Sequence, residues 1–353
     1  MTSNTPVTEA HHLFHPAGVY LNTASAGLPP DPAWQALRAT WRQYRDGTHD
    51  IPGFDVSVDQ ARGHYARLLG VPADQVAVGN QTSVFIGTVA ASLPDGAEIL
   101  TASDDFTSVT FPFLAQRRFT VREVPLGRIA DEITAATTVV AVAAVQSADG
   151  AIADLAGISA ACAATGCLSV IDATQAAGWY PLSANDFDVT VASGYKWLLA
   201  PRGTAFMTIR PELMDRITPV AAGWYAGEDR WTSIYGAPLR LARSARRFDI
   251  SPAWHSWVGA APALQLLADI GSESIRSYAT GLANGFRAQV GLPPDRSAIV
   301  SLDVLPGAEE RIQQAGIVGA VRAGRLRLSF HLSNSDADVT AAADALTGFV
   351  RIC

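Results

Sequence analysis

Between residues 76 and 209, short apolar runs rich in β-branched residues alternate with stretches of helical spacing. That alternation leaves few folds open to the chain. Val76 to Val78, Glu98 to Leu100, Val139 to Val145, Leu168 to Asp172, Val189 to Ala192 and Thr204 to Ile209 read as strands. Thr82 to Ser92 and Ile158 to Ala164 read as helices among them. Strands this apolar are buried on both faces, as in a mostly parallel sheet covered by helices on both sides. Upstream, residues 31–46 read as a helix with Asp31 as N-cap and Pro32 at its first position, and residues 57–69 as a second helix ended by Gly70. Past about residue 250 the pattern changes. A long helix from Ser256 to Asp269 and a further helix lead to strands at Ile299 to Val304, Gly316 to Val321 and Leu326 to Phe330, with a last helix from Asp336. We therefore expect a large α/β domain over 18–248. A smaller α+β domain over 249–353 is expected to take in an N-terminal arm, 1–17.

The chain holds 25 arginines and one lysine, Lys196. Arginine carries charge as well as lysine does but cannot deprotonate to a nucleophilic amine in water. The single lysine is therefore a candidate for covalent amine chemistry. Its surroundings, Ser193-Gly194-Tyr195-Lys196-Trp197-Leu198-Leu199, are apolar on the C-terminal side, which suits a desolvated amine of lowered pKa. Twenty-four residues upstream, the run Ser169-Val170-Ile171-Asp172 ends on an acid. An acid at the carboxyl end of a strand in such a sheet faces the ligand crevice. These are the two groups that pyridoxal phosphate needs. The lysine holds its aldehyde as a Schiff base, and the carboxylate keeps its pyridine nitrogen protonated.

On these two motifs the chain resembles the class V aminotransferase superfamily of fold-type I pyridoxal-phosphate enzymes, with matches running from Tyr20-Leu21-Asn22-Thr23-Ala24-Ser25 to Arg327-Leu328-Ser329. That group includes cysteine desulfurases, selenocysteine lyases, isopenicillin-epimerase-like proteins and kynureninase. The resemblance implies an aspartate-aminotransferase-like fold, with a seven-stranded sheet sandwiched by helices. It also implies a homodimer with the active site at the interface. Gly79-Asn80-Gln81-Thr82-Ser83 opens a helix after a strand, and a helix N-terminus suits a phosphate. The resemblance assigns Gln81, Thr82, Ser193 and Tyr195 to the cofactor phosphate. Ser251 matches a position that reaches the phosphate from the neighbouring subunit, although before Pro252 it reads equally as a turn residue. Phe106 matches the group stacked on the pyridine ring, where it offers an apolar face and no proton donor; by itself it reads equally as core. Gln175 matches the residue that hydrogen-bonds the ring hydroxyl. Arg325, Arg327 and Ser329 alternate as on the face of an edge strand, which by pattern alone is a solvated face. By resemblance Arg327 clamps the substrate α-carboxylate, with the loop Asn22 to Ser25 lying over the substrate. Trp224, Tyr225 and Trp231 could shape either the pocket or a dimer contact.

A net charge of -7 argues against nucleic acid as the main partner. Met1 to Glu9 lacks the apolar segment of a signal peptide, and no run of about 18 apolar residues is present to cross a membrane. A cytoplasmic location is expected. Cys162, Cys167 and Cys353 make neither a disulfide framework nor a metal cluster. Desulfurases need a cysteine just before the Arg-x-Ser motif, and Gly316 to Gly324 holds none. Ser193-x-x-Lys196 spells the S-x-x-K of acyl-transfer enzymes, whose K-T-G would require a second lysine. The reading that leads is transamination of a small α-amino acid. C–S elimination and epimerisation are alternatives within the superfamily, and a non-catalytic cofactor-binding protein is the alternative from another class.

Overall fold

A computed structural model describes residues 6–351. Cys353 and the first five residues of the expected arm lie outside the described residues. The N-terminal half runs β1 (Val19–Tyr20), α1 (Asp31–Asp46), α2 (Ile51–Leu69), β2 (Val76–Gly79), α3 (Thr82–Ala91), β3 (Glu98–Ala102), α4 (Thr107–Leu114) and β4 (Thr120–Val124). It continues with α5 (Ile129–Glu132), β5 (Thr137–Ala143), α6 (Leu155–Thr165), β6 (Leu168–Asp172), β7 (Val189–Ser193) and β8 (Ala205–Ile209). After these come α7 (Trp254–Ile270), α8 (Ser272–Gln289), β9 (Ile299–Leu302), α9 (Ala308–Gln314), β10 (Ile317–Val318), β11 (Ala320–Arg322), β12 (Arg325–Ser329) and α10 (Asp336–Leu346).

The main sheet has seven strands in the order β2-β8-β7-β6-β5-β3-β4. Only β8 runs against its neighbours. The fold is thus the expected α/β sandwich with a small C-terminal sheet, β11-β12-β9. Successive strand residues feed opposite faces. Val140, Val142 and Ile171 enter one core, while Val139, Ala141 and Val170 enter the other. That division is the period-two geometry of a strand buried on both sides. β6 is the central strand, so Asp172 ends at the middle of the carboxyl edge.

The structure differs from the sequence reading at several points. The cap of α1 is Pro30, so Asp31 is its first helical residue and Pro32 its second, and β1 and α5 are short elements outside that reading. α2 begins at Ile51, because Pro52 sits in its first turn, where no N–H is needed. β4 and α4 are additional. β4 is a half-exposed edge strand with mixed polar composition, and α4 carries Pro112 inside it, so neither shows a clean period. The single strand expected from Gly316 to Val321 is two: β10 pairs with β1, and β11 pairs with β12. Finally, β12 is not an edge strand. It lies between β11 and β9, and from Leu326 to Ser329 it is buried.

Arg62 of α2 is buried beneath β2. Its Nη1 and Nη2 donate to Asp249 at 3.1 and 2.7 Å, and Nη1 also donates to the Val76 carbonyl at 2.6 Å. Asp249 in turn accepts from the Val78 N–H at 2.8 Å. This fork ties the strand that leads to Gly79 to the loop that carries Ser251. Beside it, the Tyr225 hydroxyl donates to Asp55 at 2.7 Å, and Arg230 donates to Asp59. Trp224 packs on both Tyr225 and Trp231.

Candidate active site

A cavity of about 470 Å³ opens where Asp172, Ser193 and Ala143 end their strands. Eight of the sequence candidates line it: Gln81, Thr82, Phe106, Asp172, Gln175, Ser193, Tyr195 and Lys196. Asn22, Ser25, Ser251 and Arg327 are not in its wall, and neither are Trp224, Tyr225 and Trp231. Asn80, Ser147, Thr174 and Arg202 are wall residues that sequence reasoning missed. Asn80 and Thr174 were within reach, since each adjoins a named residue.

Lys196 follows β7 on a tight turn. The Gly194 N–H donates to the Thr204 carbonyl, and Leu199 closes the turn onto the Lys196 carbonyl at a φ of 56°. Gly27 presses against that same carbonyl, so closely that any Cβ there would collide. The loop from Asn22 is thereby docked on the lysine segment. The amine is buried, 5.0 Å from the Phe106 ring centre. Burial pulls its pKa down to about 8; Asp172 opposes this, and the charges of Arg327, Arg322 and Arg202 add to it. The Asp172 carboxyl is fully buried. Burial pushes its pKa above the usual range, against hydrogen bonds from Thr174 and the charge on Lys196.

With a pKa near 8 instead of 10.5, Lys196 in the cofactor-free protein is about half neutral at pH 8. It should lose reactivity toward reductive methylation as pH falls below that point. At pH 8 it should react about 100-fold faster than an ordinary lysine of matched access. Because no second lysine competes, one peptide reports the whole titration. A midpoint above 10 would show that the amine is solvated.

The remaining walls suit pyridoxal phosphate. At one end α3 presents its first turn. Gln81 precedes it in extended conformation with no side-chain cap, so backbone donors stay available to a phosphate, with the Thr82 and Ser193 hydroxyls beside them. At the base, a buried carboxylate whose charge is only partly balanced calls for a cation, which a protonated pyridine nitrogen supplies. Phe106 offers its face on one side and lies over the amine. Its backbone N–H donates to Asp105, which also accepts from the Ala143 N–H. Burial holds that carboxyl up at about 6, against those two hydrogen bonds. Asp105 therefore fixes the approach to Phe106, a role that no local sequence signal revealed. Gln175 is more constrained than expected. Its amide donates to the Ala24 carbonyl and the Ser147 hydroxyl, while its Oε1 accepts from Trp197 at 2.6 Å. One Oε1 lone pair is left to reach into the cavity.

Behind Ser147 lies Arg327, 1% exposed. It donates to the Ser147 carbonyl and hydroxyl and, at 2.7 Å, to the Ser25 hydroxyl. Burial and the neighbouring Arg322 bring its pKa down to about 10. The Ser329 hydroxyl accepts from the Ala24 N–H at 3.0 Å and so anchors the loop Asn22 to Ser25. Asn22 itself forms a bridge to Ser329, and its Oδ1 is buried with no hydrogen-bond partner among the described residues. Ser251 is exposed two residues beyond the Arg62–Asp249 fork.

The family model for aminotransferase class-V matches residues 19–301. Curated relatives include "Uncharacterized aminotransferase YcbU" of Bacillus subtilis (strain 168), 30% identical over 312 residues, covering 81% of this chain and 82% of that protein. Isopenicillin N epimerase of Streptomyces clavuligerus is 26% identical over 392 residues, covering 95% and 96%. Among solved structures, the cystine C-S lyase C-DES aligns with a TM-score of 0.84 at 19% identity, covering 94% of this chain and 98% of that one. The cysteine desulfurase CsdA of Escherichia coli aligns at 0.82 and 21% identity, covering 96% and 97%. These two likenesses speak for the fold. The match over residues 19–301 and the relative at 30% identity lead to one conclusion: the chain belongs to the class-V aminotransferase family, an enzyme of transferase or lyase type whose cofactor is pyridoxal phosphate.

Proposed function

We propose that this protein is an aminotransferase for a small α-amino acid, with Lys196 as its acid–base group. The observation that carries this is the set of titratable side chains in the cavity wall. Among the described residues Lys196 is its one amine, Asp172 its one carboxylate, and it holds no cysteine or histidine. Bound pyridoxal phosphate supplies an aldehyde for amine exchange and a ring that accepts the electron pair of a broken Cα bond. The chain's own residues then divide the work. Asp172 holds positive charge at the base of the cavity. The first turn of α3, with Gln81 and Thr82, and the hydroxyl of Ser193 hold the phosphate end, and Tyr195 flanks it. Phe106 covers one face and excludes water. Arg327 binds the substrate carboxylate. Lys196 Nζ takes the α-proton and carries it along the same face to a carbon other than Cα, as transamination needs. The relative from Bacillus subtilis that carries an aminotransferase name supports the same reading.

The buried thiols Cys162 and Cys167 line a different cavity, which supports a reaction without a protein persulfide. The reading of a separate small domain is supported by the apolar core around β9, β12 and α10, while α7 packs into the core of the large sheet and so lies on the large-domain side of the expected boundary. A homodimer is supported by Ser251, exposed in the single chain, and by the exposed aromatic surface of α1, where Trp41 stacks on His255 at 4.7 Å. Among the described residues no helix is long and apolar enough to cross a membrane.

The test is product analysis of the holoenzyme given single L-amino acids and an added 2-oxo acid. The expected result is a new 2-oxo acid matched mole for mole by a new amino acid, from a species sedimenting at twice the 37.2 kDa chain mass. Release of ammonia would make the enzyme a lyase, and accumulation of the D-isomer an epimerase.

A further inference from the structure

Arg322 and Arg327 converge on one neutral oxygen. Arg327 Nη2 donates to the Ser25 hydroxyl at 2.7 Å, and Arg322 Nη2 donates to the same hydroxyl at 3.2 Å. The two lie on adjacent strands of the β11–β12 hairpin, and Ser25 comes from the loop docked on Lys196. Their other hydrogen-bond partners among the described residues are also uncharged: the Val321 carbonyl for Arg322, and the Ser147 carbonyl and hydroxyl for Arg327. Elsewhere in the molecule about half of the arginines find acids. Arg62, Arg118, Arg122, Arg230 and Arg247 all do. Two guanidinium groups brought side by side without a carboxylate repel each other, and the burial of one prevents water from screening that repulsion fully. The arrangement is a receptor awaiting anionic charge.

The two cations sit at different depths. Arg327 is buried behind Ser147, whereas Arg322 is exposed, near enough for its charge to act on Lys196. A buried guanidinium fork is filled by a single carboxylate held bidentately. The second, exposed guanidinium is then left for a second anionic group. We infer that Arg322 is a specificity-determining residue that receives the side-chain carboxylate of the substrate, so that the amino acid handled here is a dicarboxylic one. This rests on the aminotransferase reading above. It adds the substrate class: a short chain with acids at both ends, one at Arg327 and one at Arg322. A dianion would neutralise both guanidinium groups; a neutral amino acid would leave Arg322 uncompensated.

The experiment compares acid and neutral partners of similar shape on the holoenzyme: aspartate with asparagine, glutamate with glutamine, and 2-aminoadipate with norleucine. The readouts are the shift of the cofactor's visible band and kcat/KM. At least one acid should be preferred over its partner by about 10-fold or more, the scale of a charge-assisted hydrogen bond. Arg322→Gln should lower that acid-to-neutral ratio by about 10–100-fold. Arg322→Lys should restore part of it, because the charge returns without the fork. A hairpin that was merely disturbed would lower both members of a pair alike. An equal loss on acid and neutral substrates, or a wild-type preference for the neutral partners, overturns the inference while leaving the aminotransferase reading intact. A band that no amino acid moves, with no turnover of any, overturns that reading and the inference together.

Discussion

Lys196→Arg should abolish turnover, by about 10⁴-fold or more, in a protein that still folds and still presents a cation to Asp172. The substitution is severe for a chemical reason. Arginine fills a similar volume and keeps the charge, but it cannot become a neutral amine at any pH where the protein exists. The buried site makes the contrast sharper, since an amine brought down to about 8 is half neutral at pH 8, whereas a guanidinium starts from a far higher pKa and yields no nucleophilic amine. Borohydride should fix the cofactor to the wild-type chain at one peptide, the one containing Lys196, and to the variant at none. The near absence of lysine makes this clean, because only the N-terminal amine competes. A variant keeping a tenth of wild-type activity would show that another group moves the proton. The acid–base role given to Lys196 would then be wrong.

The second large effect is on stability. Asp249→Ala should cost about 3–5 kcal/mol, read as a lower urea midpoint at unchanged slope. The side chains of Arg62 and Asp249 are 5% and 0% exposed, so removing the acid leaves a guanidinium in the interior with only the Val76 carbonyl and the distant edge of Asp59 to satisfy it. The Val78 N–H loses its acceptor as well. An unpaired buried charge is costlier than a buried pair replaced by packed carbon. The double variant Arg62→Met with Asp249→Leu should therefore recover much of the loss. Equal instability of the single and double variants would mean that shape, not charge, governs the position. Because the fork joins β2 to the loop at Ser251, the single variant should also loosen the first turn of α3.

The sheet was legible because its strands are apolar on both faces, and a strand buried on both sides announces itself without knowledge of its neighbours. The edge strand β4 is half exposed and polar, so its identity depends on pairing with β3 and left no local trace. Arg327 shows the same limit at a single residue. Its alternation with Arg325 looked like a solvated face, and only the position of β12 between β11 and β9 buries it.

By itself the sequence determined the layered sheet and singled out a lone lysine and an acid at the end of the central strand as candidates, because periodicity and a lone amine are written in neighbouring residues. Only the tertiary structure decided what surrounds them. It closed Gly27 onto the Lys196 turn, tied Asp105 to Ala143, occupied Gln175 on three sides, and brought Arg322 to Arg327 through a serine some 300 residues away in the chain. Such contacts form where strand crossings and loop docking bring distant segments within hydrogen-bond range, and that is a property of how the layers pack together.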